Sequence, residues 1–597
     1  MPSLNSLNES KKSPGAVFEH WVANGLDHAT DDLLQIADTS HVPRRVERKE
    51  RASTVVRRAI LCLFAMSCAN AQDQEPQIDK IFQNFSGKSP GCSVGVVQNG
   101  KTIFAKAYGM ADLEHDAPLS TESPFYMASV SKQFTAMAVL LLAEDGKIKL
   151  TDSIRKTLPE LPDYANAITL YQLLTHTSGV RDYLSIGAMA GLSPDYVFTD
   201  HGVLRLISRQ AALNFEPGAE FLYSNSGYVL LSLMVKKVSD KTLDQFAQER
   251  IFGPLGMKST RFQHDHSALV PGKAFGYERR NGVWHVSNSM LDVVGDGGLY
   301  SSAADMMHWL ANFDDPKVGA RALGTMRTAG KLSTGKDINY GMGLVPMRYR
   351  GLEMVQHGGG LGGYRTQVVW FPADRFSVVS LCNNGSANAG DLANKVAEVY
   401  LSSKMTAPQA PRNPQRDLSG VTLTADEVHA KAGLYRSVAG GYVEIEERGG
   451  KLYPRGAPAE LIALDKSQFR VKDAPEGFEL IFDQGKPAES LRLNQGSAAA
   501  VRFDRVSPVN LSQSEMKAYA GEFESRELLD ATYRILVDGR GLSLEAGDRP
   551  VVLLQSGGGD RWRAAGQELA FHRDAAGKVD GFMLSAGRVR NIQFRRP

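Results

Sequence analysis

Ser129-Val130-Ser131-Lys132 opens a long apolar stretch and sets a hydroxyl and an amine three residues apart. On a helix, residues i and i+3 share a face, so the Lys132 amine lies beside the Ser129 oxygen. A serine hydroxyl titrates far above neutral pH and attacks a carbonyl only with a base next to it. The helix N-terminus adds a positive field that favours developing negative charge. Ser-x-x-Lys also occurs at Ser153, Ser333 and Ser514, so this spacing alone does not choose among the four. Nucleophilic catalysis further needs a second proton carrier and donors for an oxyanion. Tyr223-Ser224-Asn225 lies 94 positions after Ser129, and His357-Gly358-Gly359-Gly360 opens a glycine-rich strand a further 134 on. These two segments offer a hydroxyl and backbone N–H groups for those roles. Tyr164-Ala165-Asn166 repeats the Tyr-x-Asn pattern, but it lies 35 residues after Ser129 and just before a helix, and reads as chance. The Gly358–Gly363 run lacks the Lys-Ser/Thr and the following helix of a phosphate-binding loop. His176, beside a helix end, reads as a structural hydrogen-bonder. Arg365 is either a contact for an anionic substrate group or a surface charge.

The elements around these residues alternate in type. Cys92–Val97 and Thr102–Tyr108 flank Gln98-Asn99-Gly100, a strong hairpin signal. The Ser129 helix carries Phe134, Met137, Val139, Leu140 and Leu141 and ends at Glu144-Asp145-Gly146. Residues 168–175 read as a helix stopped at Ser178-Gly179, and 203–212 and 228–239 also have helical spacing, separated by a turn at Phe215-Glu216-Pro217-Gly218. Ser302-Ala303-Ala304-Asp305 has the form of a capping box. Strand-like runs follow at Met354–His357, Thr366–Phe371 and Phe376–Leu381. An early hairpin and a late three-stranded meander around a helical middle predict one mixed domain whose antiparallel sheet draws on both ends.

The 597 residues are 43% hydrophobic and 22% charged, with a formal net charge of +2. That describes a multidomain globular chain with no electrostatic footprint for nucleic acid, and no metal-ligand spacing occurs. Residues 55–71 combine a basic start, a short apolar run from Ala59 to Met66 and Ala69-Asn70-Ala71, the pattern of a secretory signal peptide. The apolar run is too short to span a bilayer. Its distance from residue 1 predicts a true start at Val55 or Val56, with 1–54 an upstream, disordered extension; a genuine extension is the alternative. Ala65-Met66-Ser67 is a poor lipid-attachment context for Cys68. Without Cys62 and Cys68 the chain keeps Cys92 and Cys382, both in apolar runs. Buried free thiols are the expectation and a disulfide the alternative. Residues 405–422, with Pro408, Pro411 and Pro414, read as a linker. Beyond it, Leu423–Glu427 and Ala432–Ser437 recur as Leu511–Glu515 and Ala520–Ser525 at a constant offset of 88 with five identities. Each copy predicts a small β-barrel or β-sandwich.

In combination these motifs resemble the penicillin-recognising serine hydrolases: class C β-lactamases, DD-peptidases, related esterases and D-aminopeptidases. Leu173-Leu174-Thr175-His176-Thr177-Ser178-Gly179 and Gly295-Asp296-Gly297-Gly298-Leu299 are similar to recurring segments of that family, and the likeness spans about residues 76–400. It implies a mixed α/β, β-lactamase/transpeptidase-like domain with helices flanking an antiparallel sheet, at 76–404. Two all-β, lipocalin-like barrels would follow the 405–422 linker at 423–508 and 509–597. By the same resemblance Ser129 is the nucleophile, and Lys132 and Tyr223 share the acid–base work. Asn225 holds Lys132 and the substrate amide, the N–H groups of Ser129 and Gly360 form the oxyanion hole, and Gly359 and His357 line the opposite wall. No cofactor or metal is implied. His357 stands where β-lactamases and DD-carboxypeptidases carry lysine, and histidine is mostly neutral at pH 7. With the two barrels, this resembles the D-aminopeptidase branch, in which a loop of the last barrel reaches the site. Gly541 to Leu553, with Glu545 and Asp548, is the candidate for that loop. The expectation is an exported, periplasmic or secreted serine hydrolase acting on small D-amino-acid peptides, amides or esters, with β-lactams as candidate inhibitors. No nucleic-acid partner and no stable membrane span are expected. An esterase or weak β-lactamase with the same site is one alternative; a sensor that traps a β-lactam or wall peptide as a lasting acyl adduct is another.

Overall fold

A computed structural model describes residues 74–407 except 86, and 420–597 except 439, 473–477, 496–499 and 565. The expected extension, the signal-like segment with Cys62 and Cys68, and the linker prolines Pro408, Pro411 and Pro414 lie outside the described residues.

Asn99 and Gly100 both adopt positive φ, 51° and 71°, the backbone a two-residue hairpin turn demands. They join β1 (Cys92–Gln98) to β2 (Lys101–Tyr108). The late strands are β3 (Val345–Tyr349), β4 (Leu352–Leu361), β5 (Tyr364–Phe371) and β6 (Phe376–Cys382). The sheet order is β3-β4-β5-β6-β1-β2, so the early and late strands of this domain meet at β6 and β1. Side chains alternate across the sheet. Val369 and Phe371 of β5 pack with Ile78, Phe82 and Val396 of the helices α1 (Glu75–Phe82) and α5 (Ala389–Leu401). Val368 and Trp370 face the helical middle instead. There α2 (Lys132–Glu144) is buried without a break from Lys132 to Leu142, and α3 (Asn225–Ser239) and α4 (Ala303–Asp314) pack around it. A Cβ at Gly95 of β1 would lie 2.5 Å from Met307 Sδ, so a larger residue there would displace the Met307 side chain of α4.

The periodicity at 203–212 corresponds to a helix at Asp200–Ser208, and that at 168–175 to Leu170–Leu174 with a full Thr169–Gln172 capping box. At Ser302 half of the expected box forms. Ser302 Oγ accepts from Asp305 N–H at 3.1 Å, but the Asp305 carboxylate turns to Ser259 N–H and Thr260 Oγ1. Cys92 and Cys382, expected as free thiols, are joined in a disulfide. They are direct partners in the β1–β6 register, a neighbourhood created by two strands 290 residues apart in the chain.

The two repeat copies are barrels. Eight strands from Gly433–Ser437 to Val501–Val506 close on themselves, with Leu434 opposite Val506. The second copy has nine strands whose edges, Val552–Leu553 and Gln555–Gly558, are consecutive in the chain, a nearly closed barrel. Each copy opens with a capping box, Thr424–Glu427 and Ser512–Glu515, followed by the repeated Gly433 or Gly521 strand. The second barrel docks on the helical region of the first domain. Arg181 and Glu527 form a buried ion pair there, 1% and 6% exposed at their side chains, and the apolar core runs on from one domain into the other. Among the described residues, no helix is long and apolar enough to cross a membrane.

Candidate active site

Ser129 lies in a 3-10 turn, Ala128–Ser131, that leads directly into α2. Ala128 is held at φ 47°, a left-handed conformation that costs a side-chain-bearing residue about 1–3 kcal/mol and recurs at functional sites. Lys132, fully buried, spends its three ammonium hydrogens on three acceptors: Ser129 Oγ at 3.0 Å, Asn225 Oδ1 at 2.9 Å and Asp296 O at 2.7 Å. Three donors meeting three acceptors fix the amine beside the serine oxygen.

Asn225 is the first residue of α3, and its N–H would be an orphan of the helix start. Asp182 Oδ2 accepts from it at 2.8 Å, while Asp182 Oδ1 caps the Tyr183–Met189 helix through Ser185 N–H at 3.1 Å. One buried carboxylate thus seats two helices. Tyr223, two residues earlier, places its ring 4.9 Å from Lys132 Nζ. Its hydroxyl is buried and makes no hydrogen bond to a described residue. His176, at φ 57°, packs 4.1 Å from the Tyr223 ring and accepts from Ser224 N–H through Nδ1 at 3.2 Å. Burial, then the Lys132 charge, holds its pKa well below the ordinary value, so the ring is neutral.

Opposite stands β4. Gly359 approaches the Ser129 turn so closely that a Cβ there would lie 2.4 Å from Met127 O and 3.1 Å from Ser129 N. Gly360 follows, paired with Arg365 across β5. The glycine run is the end of a strand pair rather than a loop before a helix. His357, 5% exposed, donates from Nδ1 to Gly358 O at 2.7 Å and accepts at Nε2 from the Tyr340 hydroxyl at 3.0 Å. Burial and the Lys132 charge push its pKa down to about 4. His357 therefore brings no charge to that wall. The Asp296 carboxyl, behind Lys132, is pushed up to about 6 by burial, against the pull of Lys132. It accepts from Tyr183 OH at 3.1 Å.

The other candidates lie elsewhere or are occupied. Ser153 caps a 3-10 turn, Ser333 Oγ donates to Gly218 O at 3.0 Å, and Ser514 bonds Ser512 in the second barrel. Tyr164 donates to Ile207 O. Arg365 Nη1 turns back to Gly362 O and Tyr364 O at 2.8 and 2.7 Å. The segment from Gly541 to Leu553 is not the one that reaches the site. It forms two strands; Glu545 pairs with Arg534, Asp548 is exposed, and Arg549 donates to Ala188 O. A different turn of the second barrel arrives, at Gly587. Arg588 sets its guanidinium carbon 4.7 Å from the Tyr223 ring centre and its Nη1 3.9 Å from Asp182 Oδ2. Arg588, Asp182 and Tyr340 escaped the sequence reading, because none belongs to a local motif.

The residues 78–402 match the family model described as Beta-lactamase. The chain belongs to the beta-lactamase family. Within it, most of the chain resembles D-aminopeptidases. That of Brucella ovis is 26% identical over 533 residues, covering 87% of this chain and 98% of the relative, and that of Brucella anthropi is 27% identical over 531, covering 85% and 96%. The octameric penicillin-binding protein homologue from Pyrococcus abyssi shares the fold, with a TM-score of 0.51 and 23% identity over 72% of this chain and 99% of that one. This beta-lactamase-fold protein is a serine hydrolase.

Proposed function

We propose that this hydrolase opens amide bonds of small D-amino-acid peptides through an acyl-enzyme on Ser129. The observation that carries the reading is the Lys132 ammonium, bonded at once to Ser129 Oγ, Asn225 Oδ1 and Asp296 O. In the reactive form the Lys132–Tyr223 pair lacks one proton. Ser129 Oγ attacks the carbonyl carbon, its proton passes to the pair, and the carbonyl electrons move to oxygen. The N–H groups of Ser129 and Gly360 receive that oxyanion, each donor worth about 2.7–4 kcal/mol by analogy with measured oxyanion holes. Collapse breaks the C–N bond, and the pair returns the proton to the leaving nitrogen. Water then attacks the ester by the same route and Ser129 recovers its proton. Tyr223, whose hydroxyl bonds to no described residue, is the carrier facing the leaving group.

The substrate class rests on the D-aminopeptidase relatives, matched along 98% of their length, and on the neutral His357. Export is part of the proposal. The signal-like 55–71 segment supports it, as does the Cys92–Cys382 disulfide, a bond that persists in oxidising compartments. The test is a panel of D-Ala-p-nitroanilide, L-Ala-p-nitroanilide, a short-chain p-nitrophenyl ester and nitrocefin on wild type and Ser129→Ala. Fastest turnover of the D-anilide, lost in Ser129→Ala, is expected. Preference for the ester or nitrocefin overturns the substrate class, and a stable adduct without turnover would favour the sensor.

A further inference from the structure

We infer that Arg588, supplied by the second barrel, is a specificity residue that receives a carboxylate on the leaving side of the substrate. The inference rests on the proposed amide hydrolysis, because that chemistry defines the leaving side as the side of Tyr223.

Among the described residues, two cations lie against the Tyr223 ring, Lys132 and Arg588. Lys132 has spent its three hydrogens. His357 is neutral, locked between Gly358 O and the Tyr340 hydroxyl. Arg365 Nη1 is turned to two backbone carbonyls, and Arg590 is paired with Glu220 at 2.9 Å. The Arg588 guanidinium donates no hydrogen bond to any described residue and is 45% exposed. Its nearest carboxylate, Asp182 Oδ2, lies 3.9 Å away and already accepts from Asn225 N–H.

The backbone of Arg588 is nevertheless held firmly. Asn214 of the hydrolase domain donates to Arg588 O at 2.9 Å and accepts from Arg590 N–H at 2.7 Å. Arg181 Nη2 donates to Asn591 O at 2.9 Å. A clamped main chain with an unspent planar fork, poised over the tyrosine that protonates the leaving nitrogen, suits a carboxylate near that nitrogen. The C-terminal carboxylate of a dipeptide is such a group: it sits one carbon from the departing amine. The same cation disfavours a positive charge on that side. The chemistry thus points to dipeptides with a D-residue first and a free carboxylate on the second.

The experiment compares D-Ala-Gly with D-Ala-glycinamide, which carries an uncharged amide in place of the terminal carboxylate, using the full-length protein at low salt. Wild type is expected to favour the carboxylate in kcat/KM by about tenfold or more, as for a charge-assisted hydrogen bond. Arg588→Gln brings the ratio to within about twofold, and Arg588→Lys gives a ratio between the two. The ratio reports charge recognition even where a variant loses absolute activity, and the wild-type ratio alone decides if Arg588→Gln does not fold. A wild-type ratio near one, or an unchanged ratio in Arg588→Gln, overturns the role of Arg588 while leaving amide hydrolysis intact. Hydrolysis of neither substrate, nor of D-Ala-p-nitroanilide, overturns both readings.

Discussion

Replacing Glu527 with glutamine tests whether the second barrel is part of the enzyme's working structure. Glu527 Oε2 accepts from Arg181 Nη1 and from Ala211 N–H at 2.8 Å, and Oε1 accepts from Gln593 N–H at 2.9 Å. The neutral amide keeps the shape but leaves the Arg181 charge, 1% exposed, without its counter-ion. Breaking one partner of a buried pair costs about 3–5 kcal/mol. Arg181 keeps Gln210 Oε1 at 3.0 Å and Asn591 O at 2.9 Å, which places the cost near the lower end, about 3 kcal/mol. That shifts the docked-to-undocked ratio by roughly a hundredfold. Urea unfolding monitored by tryptophan fluorescence should show the first transition at lower denaturant, and limited proteolysis should cut faster between the barrel and the hydrolase domain. The double variant Arg181→Met, Glu527→Met should be more stable than Glu527→Gln, because an apolar pair leaves no buried charge. A single variant within about 0.5 kcal/mol of wild type, with unchanged proteolysis, refutes the claim that this pair holds the barrel in place.

Other outcomes follow from the same geometry. Tyr223→Phe removes a hydroxyl that bonds to no described residue, so kcat/KM should fall by about 10²–10⁴ with stability within about 0.5 kcal/mol of wild type; matched losses in both would mean a structural tyrosine. Gly359→Ala puts a methyl group 2.4 Å from Met127 O and should displace β4 from Ser129 N, cutting kcat more than it raises KM; steady-state kinetics at wild-type level would show that β4 does not set this wall. His357 has a folded pKa of about 4 against an ordinary 6.5, so the unfolded chain binds the extra proton between these values. Its contribution to stability is complete above pH 6.5 and is lost as pH falls toward 4, by about 3 kcal/mol. Asp296, raised to about 6, works in the opposite sense, so the clean reading is the difference between wild type and His357→Gln. The variant should lose less stability on acidification, and an identical pH slope in urea titrations would contradict the buried neutral histidine.

Local rules made much of this molecule legible in its sequence. Asn99-Gly100 demands positive φ and announces the hairpin, and the spacing of Ser129 and Lys132 survives as a real contact because one turn of helix enforces it. Asn225 bonds Lys132 and His357 lies within reach of its charge, each from a distant element, and the family pattern carried that information where spacing could not. What stayed hidden depends on contacts between remote segments. The Cys92–Cys382 bond follows from the β1–β6 register, which no local signal encodes. Arg588 reads as one more arginine in a β-repeat until the Arg181–Glu527 pair and the Asn214 clamp seat its turn on the hydrolase domain. Asp182 reads as an ordinary helix cap, and its second oxygen finds Asn225 only in the folded chain.

The central claim is that Ser129 becomes acylated during turnover, and intact-protein mass spectrometry tests it most directly. Rapid acid quenching of wild type with a D-phenylalanine ester should add the mass of one acyl group, located by peptide mapping to the segment that contains Ser129 and absent from Ser129→Ala. An adduct on another residue, or full turnover by Ser129→Ala, would contradict the account.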